Sequence, residues 1–421
     1  MVSRKASDVS DETRVSAYYG TFFLSIGAVM PFVAIWMQSL GLSSTMTGFI
    51  LAAPQLAIVT FNIVVGSWAD RLSDWRTAIV ICNGFVLVLT LMLFGWQTPL
   101  GILLIWTLSG LFMIASAPIT DAAALDMTSR RGSDFARIRS LGSVGFVVGI
   151  LIAGWVFDSH GMQWFLWVLL TGAVLRVLAA ILLPHFKERT RAPSQSTETS
   201  SSVKLVNAES NSEKPQKKQW LQGLMAGMEL FKQPGIFLVI LGAALLNASH
   251  SFQNMYSVLH WAEQGISTTW ASWLWTIGVI AEVGLMWSFK SLAKRVSARH
   301  CLLFSCITCA VRWFFTGLNP SLGALVFLQA LHGITFGLTF LASVNFIARR
   351  VNPNHAAQAQ SVLNTLTTLL MAIGIWLSGI FYSSLGGYSY WAMAVLALLG
   401  GGLILSSYRT ALEDTNESVF S

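Results

Sequence analysis

The 421-residue chain is 54% hydrophobic and only 11% charged, with a formal net charge of +7 and a mean hydropathy of +0.63. A water-soluble domain carries about 25% charged residues, so the composition excludes an ordinary soluble fold and points to an integral membrane protein. The positive balance requires no nucleic-acid partner, because the basic residues follow a positional rule along the chain.

The first fourteen residues are polar and charged, with no cleavable signal pattern before the first apolar run. Runs of about 20 apolar residues fill a ~30 Å hydrocarbon core. They recur at roughly 18–41, 47–68, 77–97, 100–125, 136–157, 162–184, 235–261, 270–289, 300–318, 321–347, 357–383 and 387–408. Twelve transmembrane helices are therefore expected. Apart from Arg176 and Arg312, every Lys and Arg falls in the N-terminal tail, in the even-to-odd connections and the helix turns beside them, or at the C-terminal end. The opposite loops have none, so the positive-inside rule places both termini and the central loop in the cytoplasm.

After the second span comes GSWADRLSDWR, Gly66 to Arg76. It resembles the cytoplasmic loop signature of the major facilitator superfamily, a Gly followed by Asp-Arg and further basic residues. The resemblance implies that Asp70 and Arg71 latch the two halves of such a protein at a cytoplasmic gate. A charged loop that merely sets topology is the plainer alternative.

An ionisable group inside a span is costly and must face a partner or a wet cavity. The fourth span holds Asp121 and the first turns of the fifth hold Arg139. A turn at SRRGSD makes these spans antiparallel neighbours, at depths that allow the two side chains to touch. Asp126 and Arg137 lie closer to the surface and are expected to be solvated. Arg176, deep in the sixth span, has two readings: it snorkels, or it pairs with Asp121.

Residues 186–233 are rich in Ser, Lys and Glu and poor in apolar residues, which predicts a disordered cytoplasmic linker. It separates two bundles of six spans, 15–185 and 234–409, with tails at 1–14 and 410–421. The halves repeat each other at one offset. GLSST at 41–45 returns as GISTT at 265–269, and SWADRLS at 67–73 returns as SLAKRVS at 291–297, both 224 residues on. Two matches in one register imply an internal duplication. Parallel six-helix pseudo-repeats around a central cavity are the major facilitator arrangement.

In the second half, His250, Gln253 and Asn254 are spaced to lie along one stripe of the seventh span. Glu282, Arg312 and His332 occupy the eighth, ninth and tenth spans, all near midplane at ~1.5 Å rise per residue. Their common depth permits an ion pair or a triad bridged by the histidine, and a structural role for such a bridge competes with a proton-carrying one. The cysteines Cys82, Cys301, Cys306 and Cys309 lie on apolar helices and are expected to be packing residues, with no metal or cofactor site indicated.

The stretches DFARIRSLGSVGF (Asp134–Phe146), SHSFQNMYSVLHW, WLWTIGVIAEVGLM, VRWFFTG and LQALHGITFGL resemble the phenylpropionate permease family, proton symporters related to the lactose permease group. The resemblance covers about residues 15–185 and 235–405. It implies that Asp121 and Arg139 hold solute and that Glu282, Arg312 and His332 serve binding and proton coupling; Phe146 is a further solute-binding candidate. Asp121 is a second candidate proton carrier. The sequence also departs from these patterns. Thr335 stands where lactose permease has its proton-bearing glutamate, so Glu282 or Asp121 must carry the proton. Gln253-Asn254-Met255 replaces Tyr-Tyr-Gly of the phenylpropionate pattern, which makes that wall more polar.

The expected function is proton-coupled symport of a small organic solute, best an aromatic carboxylate, by a monomer in a bacterial inner membrane. Its anion would be gripped by Arg139 or Arg312, with His250, Gln253, Asn254 and Thr335 lining the site. Sugar or nucleoside symport and proton-driven efflux are the alternatives. No H-E-x-x-H zinc motif or nucleophile pattern supports an enzyme, and no signalling domain supports a sensor.

Overall fold

A computed structural model describes residues 10–186, 233–352 and 355–420, without the side chains of 62, 63, 66, 70 and 410–420. The helices of the N-terminal set are α1 Asp11–Val29, α2 Val33–Ser39, α3 Ser44–Arg71, α4 Trp75–Met92, α5 Pro99–Arg131, α6 Phe135–His160 and α7 Phe165–Ile181. The C-terminal set comprises α8 Pro234–Ala248, α9 Ser251–Glu263, α10 Thr268–Leu292, α11 Ala298–Thr316, α12 Leu322–Ala330, α13 Thr339–Arg350, α14 Ala356–Leu385 and α15 Ser389–Phe420. Among the described residues all regular structure is helical. Among the described residues, nine helical segments are long and apolar enough to cross a membrane, counting α8 with α9, α12 with α13 and α14 with α15 as one each, or ten when α1 and α2, bent by 43°, are also taken as one. The linker expected at 186–233 lies outside the described residues except at its two ends.

The internal repeat has a structural meaning. Gly41 and Gly265 adopt the left-handed φ values of 83° and 80° that glycine takes without strain. Each ends a helix, and the serine two residues on, Ser43 or Ser267, caps the next one by accepting a backbone N–H at the third helical position. The same chain reversal is therefore built twice.

Within the N-terminal set, α1 packs along α6 and α7, while α4 and α3 pack on α5. The α1–α6 contact is close because glycines line it. A Cβ on Gly145 would meet the Gly20 carbonyl at 2.1 Å, and one on Gly149 the Leu24 carbonyl at 2.1 Å. Small residues let helix backbones approach where lipid supplies no hydrophobic drive for association. In the C-terminal set α8 packs on α14 and α15, and α11 on α15.

The two sets meet through α3 with α14 and α6 with α10. At the end away from the basic loops, Tyr256 donates to the Ser44 carbonyl at 2.8 Å, and Thr268 donates to the Gly154 carbonyl at 2.8 Å. Thr269 adds a 2.9 Å bond to Asp158. Gly48 and Gly379 touch there, since a Cβ on either would lie 3.0 Å from the other's Cα. Toward the basic end the packing loosens. The buried residues of α10 stop at Gly278, and Trp287 near its other end is 84% exposed.

The basic end has its own ties. Arg131 at the C-terminus of α5 bonds Asp11 and reaches Glu12 at 3.6 Å, setting basic residues at a helix C-terminus against acids at the N-terminus of α1. Asp74 caps α4 and accepts from the Phe186 backbone at 3.2 Å and from His185 at 2.6 Å. The second half of the loop signature thus anchors α4 to the segment that follows α7. Arg71 closes α3 and is exposed, and the Asp70 side chain lies outside the described residues.

Candidate functional site

Arg312 is fully buried, which demands partners for its guanidinium. Three neighbours accept from it: Thr335 Oγ1 at 2.8 Å and His332 Nδ1 at 3.2 Å, both from Nη1, and Gln329 Oε1 at 2.8 Å from Nη2. Its charge also lies 4.4 Å over the Trp313 ring, a favourable cation–π placement. Gln329 lies at the end of α12 and His332 just before a π-helical turn, Gly333–Leu338, that carries Thr335 between α12 and α13. Such turns carry one residue more per hydrogen-bonded ring than an α-helix and cluster at functional sites.

The proton positions follow from donor and acceptor chemistry. A guanidinium only donates, so Nδ1 of His332 is an acceptor and the neutral ring carries its proton on Nε2. That nitrogen faces Glu282 Oε2 at 3.9 Å. His250 Nδ1 donates to the Leu246 carbonyl at 3.1 Å, which leaves Nε2 to accept from Thr335 at 3.2 Å. Glu282, His332, Arg312, Thr335 and His250 thus form one polar line across α10, α11, the π-turn and α9. Phe336 stacks on His332 with ring centroids 5.2 Å apart.

The triad therefore takes its histidine-bridged form, with no direct ion pair between Glu282 and Arg312 among the described residues. The stripe expected on the seventh span is split. His250 begins α9 after a break at Ser249, and Gln253 joins the Arg312 group by donating to Gln329 at 3.3 Å while accepting from Tyr390 at 2.9 Å. Asn254 turns away, 4.0 Å from the Met371 sulfur of α14.

In the N-terminal set Arg139 Nε lies 3.4 Å from Asp121 Oδ1. Tyr19 of α1 donates to the same carboxylate oxygen at 2.6 Å. The guanidinium carbon sits 4.4 Å over the Phe23 ring. The pair expected from sequence is present and remains partly solvated, with Arg139 36% and Asp121 43% exposed. Phe146 projects to the other half, its ring 6.2 Å from Trp275. Asp126 pairs with Arg130 on the exposed surface, as a solvated carboxylate does. Arg176 does not pair with Asp121: its Nε and Nη1 have no hydrogen-bond partner among the described residues. The two helices present Asp121 to Arg139 and Tyr19 instead.

The sequence by itself does not single out Tyr19, Phe23, Trp313, Gln329, Phe336 or Tyr390. Aromatic residues are common throughout an apolar chain, so composition gave them no distinction. The four cysteines are buried and free. Cys306 donates to the Ala397 carbonyl at 3.1 Å and Cys309 to the Thr335 carbonyl at 3.7 Å, so their C-x-x-C spacing serves helix packing.

Long apolar helices in two sets, joined at one end around buried ionic groups, define a multi-pass membrane transporter of the major facilitator fold. The chain matches the MFS_1 like family over residues 13–393 and belongs to it. It is 28% identical to the probable 3-phenylpropionic acid transporter of Escherichia coli (strain K12) over 386 residues, 90% of this chain and 93% of that one. It is 24% identical to the lactose permease of Citrobacter freundii, covering 86% and 85% of the two chains. Its fold is similar to the crystal structure of the nucleoside transporter NupG, with a TM-score of 0.75 over 96% of this chain and 99% of that one, at 19% identity. Its relatives and structural neighbours are transporters, and the chain is not an enzyme.

Proposed function

We propose that the chain is a proton-coupled symporter of a small organic solute, an aromatic monocarboxylate of the phenylpropionate type, working by alternating access in a bacterial inner membrane. On this reading the basic end faces the cytoplasm. The spans number twelve once α11 is counted, α14 is separated from α15, and α1 with α2 forms one. The bundles are 15–185 and 234–409, and the protein works as a monomer. The halves, packed together at the far end, leave the path open toward the cytoplasm.

The observation that carries the reading is the line from Glu282 through His332 to Arg312. An acid and an imidazole in series with a fixed positive charge can trade a proton while changing how firmly α10 is held to α11 and the π-turn. Asp121, beside Arg139 and Tyr19, is the second acid available to that chemistry. The partly solvated Arg139, with Phe146 and Asn254, lines the solute's path. Arg312, His250, Gln253 and Thr335 contact solute when their network opens, and Asp70 with Arg71 latches the cytoplasmic gate. The 3-phenylpropionic acid relative supports the choice of solute. A hydroxyl-rich solute is the second reading, favoured by the acid, hydroxyl and guanidinium clustered at Asp121, Tyr19 and Arg139.

Uptake of labelled 3-phenylpropionate into proteoliposomes under an imposed pH gradient tests the proposal. Accumulation should follow the proton, Glu282→Gln should abolish it, and counterflow in that variant should survive. Accumulation only with the gradient reversed would make the protein an exporter. Undiminished accumulation by Glu282→Gln would remove that residue from coupling.

A further inference from the structure

We infer that Arg176 is an anion-binding residue: it anchors the carboxylate of an amphipathic monoanion whose apolar body lies in a cavity inside the N-terminal set of helices. The cavity has a volume of ≈ 250 Å³ and is bounded by α1, α3, α4, α5 and α7. Met30, Leu51, Trp106, Met113 and Leu169 make its wall apolar, and Arg176 is the one charged lining residue among the described residues. Met255 of α9 forms part of the same wall, so the cavity reaches the seam between the two halves.

Arg176 is 2% exposed, and its Nε and Nη1 have no hydrogen-bond partner among the described residues. No carboxylate among the described residues lies within ion-pair distance of it, whereas Arg139 has Asp121. The contrast with Arg312 is chemical. Arg312 has both Nη groups engaged by Thr335, His332 and Gln329, leaving only Nε without a partner. A buried guanidinium with idle donors is strongly unfavourable. A carboxylate in the cavity would take charge-assisted bonds from the guanidinium. The rest of the lining suits one ring and a short chain, since small-molecule sites are mostly apolar with a few placed polar groups. Ser25, Gln55 and Ser109 are the neutral polar groups available there. A dicarboxylate or a sugar is disfavoured, because a second charge or many hydroxyls would meet apolar walls.

The inference rests on the transport reading for its solute class but assigns a location that reading does not contain. The test uses full-length protein, purified and in proteoliposomes, with 3-phenylpropionate, the uncharged 3-phenylpropan-1-ol, and a diazirine-bearing 3-phenylpropionate for cross-linking. Binding of 3-phenylpropionate should weaken roughly 10- to 100-fold in Arg176→Gln, the range for losing a hydrogen-bonded charge. Binding of the alcohol should stay within about threefold. Met113→Trp, which fills the cavity and keeps the charge, should weaken both. Cross-links in the wild type should fall on peptides containing Met30, Trp106 or Met113. Unchanged affinity in Arg176→Gln, cross-links confined to peptides around Arg139 or Arg312, or no binding to the wild type would each overturn the inference. pH-driven uptake with cross-links elsewhere sinks this site and leaves the symport reading standing. Saturable Arg176-dependent binding without proton-driven uptake does the reverse.

Discussion

Arg312 donates from Nη1 to His332 Nδ1 at 3.2 Å, and this one bond orients the imidazole so that its N–H faces Glu282. An arginine sets the tautomer of a histidine, and the histidine presents the proton to an acid on another helix. Gly278 of α10 reinforces the arrangement, because a Cβ there would come within 3.3 Å of the His332 Cβ. The histidine thus sits between a permanent charge and a titratable one.

That position separates two functions that substitution can test. In His332→Asn the amide oxygen takes the place of Nδ1 and accepts from Arg312, but nothing reaches Glu282. This variant should melt near the wild type and lose proton-driven accumulation. His332→Gln places its amide near Nε2 and gives up the bond to Arg312. It should lose about 1–2 kcal/mol, the typical cost of a buried hydrogen bond to a charge. Thermal melting alongside uptake decides the matter, and identical behaviour of the two variants would reject the assigned tautomer.

Thr335 accepts from Arg312 and donates to His250, so its hydroxyl joins two groups that otherwise lack a common partner. Thr335→Val keeps the shape and removes both bonds, which should cost about 2–3 kcal/mol by leaving a buried donor on Arg312 and a buried acceptor on His250 unmet. Thr335→Ser should cost less than about 1 kcal/mol, mostly for the lost methyl. Melting of the purified variants reads the difference, and a Val variant as stable as the Ser variant would show that the hydroxyl contributes nothing.

The α1–α6 seam makes a contrast between two glycines. A Cβ at Gly149 would lie 2.1 Å from the Leu24 carbonyl, a rigid backbone atom, whereas one at Gly84 meets nothing within 4 Å. Gly149→Ala should therefore destabilise by about 1–3 kcal/mol through overpacking. Gly84→Ala should be neutral or stabilising by up to about 1 kcal/mol, from helix propensity. Equal melting temperatures for the two variants would mean that the seam is not closely packed.

Gly48 and Gly379 allow the halves to touch at the end away from the basic loops. A leucine at Gly379 would push against Gly48 and the Tyr256 hydroxyl and disfavour that closure. If it costs the closed arrangement about 2 kcal/mol, the balance between arrangements shifts roughly 30-fold. A cysteine placed at Ser44, whose carbonyl accepts from Tyr256 in the closed arrangement, should then react faster with an impermeant maleimide. No change in labelling rate would refute this role for the glycine pair.

What could be read from the amino-acid order alone was whatever the solvent imposes locally. Apolar runs long enough for a bilayer, the bias of Lys and Arg to one side, and the repeat of GLSST as GISTT are properties of short segments, and helices cover most of those runs, with breaks at Ser249 and in the π-turn that the sequence did not mark. Buried charges were legible for the same reason: Asp121, Arg139, Glu282, Arg312 and His332 are conspicuous in an apolar run, because each needs a partner or water. Which partner each one takes was decided by the tertiary structure. The π-turn carries Thr335 to the guanidinium that His332, just before the turn, also reaches. Past the break at Ser249, Gln253 bonds Gln329, which itself accepts from Arg312, while Asn254 faces Met371. The rotation and depth of each helix, set by contacts such as Gly145 on Gly20, turn Asp121 toward Tyr19 and Arg139 and leave Arg176 facing a cavity. Spacing along one helix constrains the face a residue occupies, whereas the facing residue is chosen by packing between different helices, 20 positions apart for Arg312 and His332 and 102 for Tyr19 and Asp121.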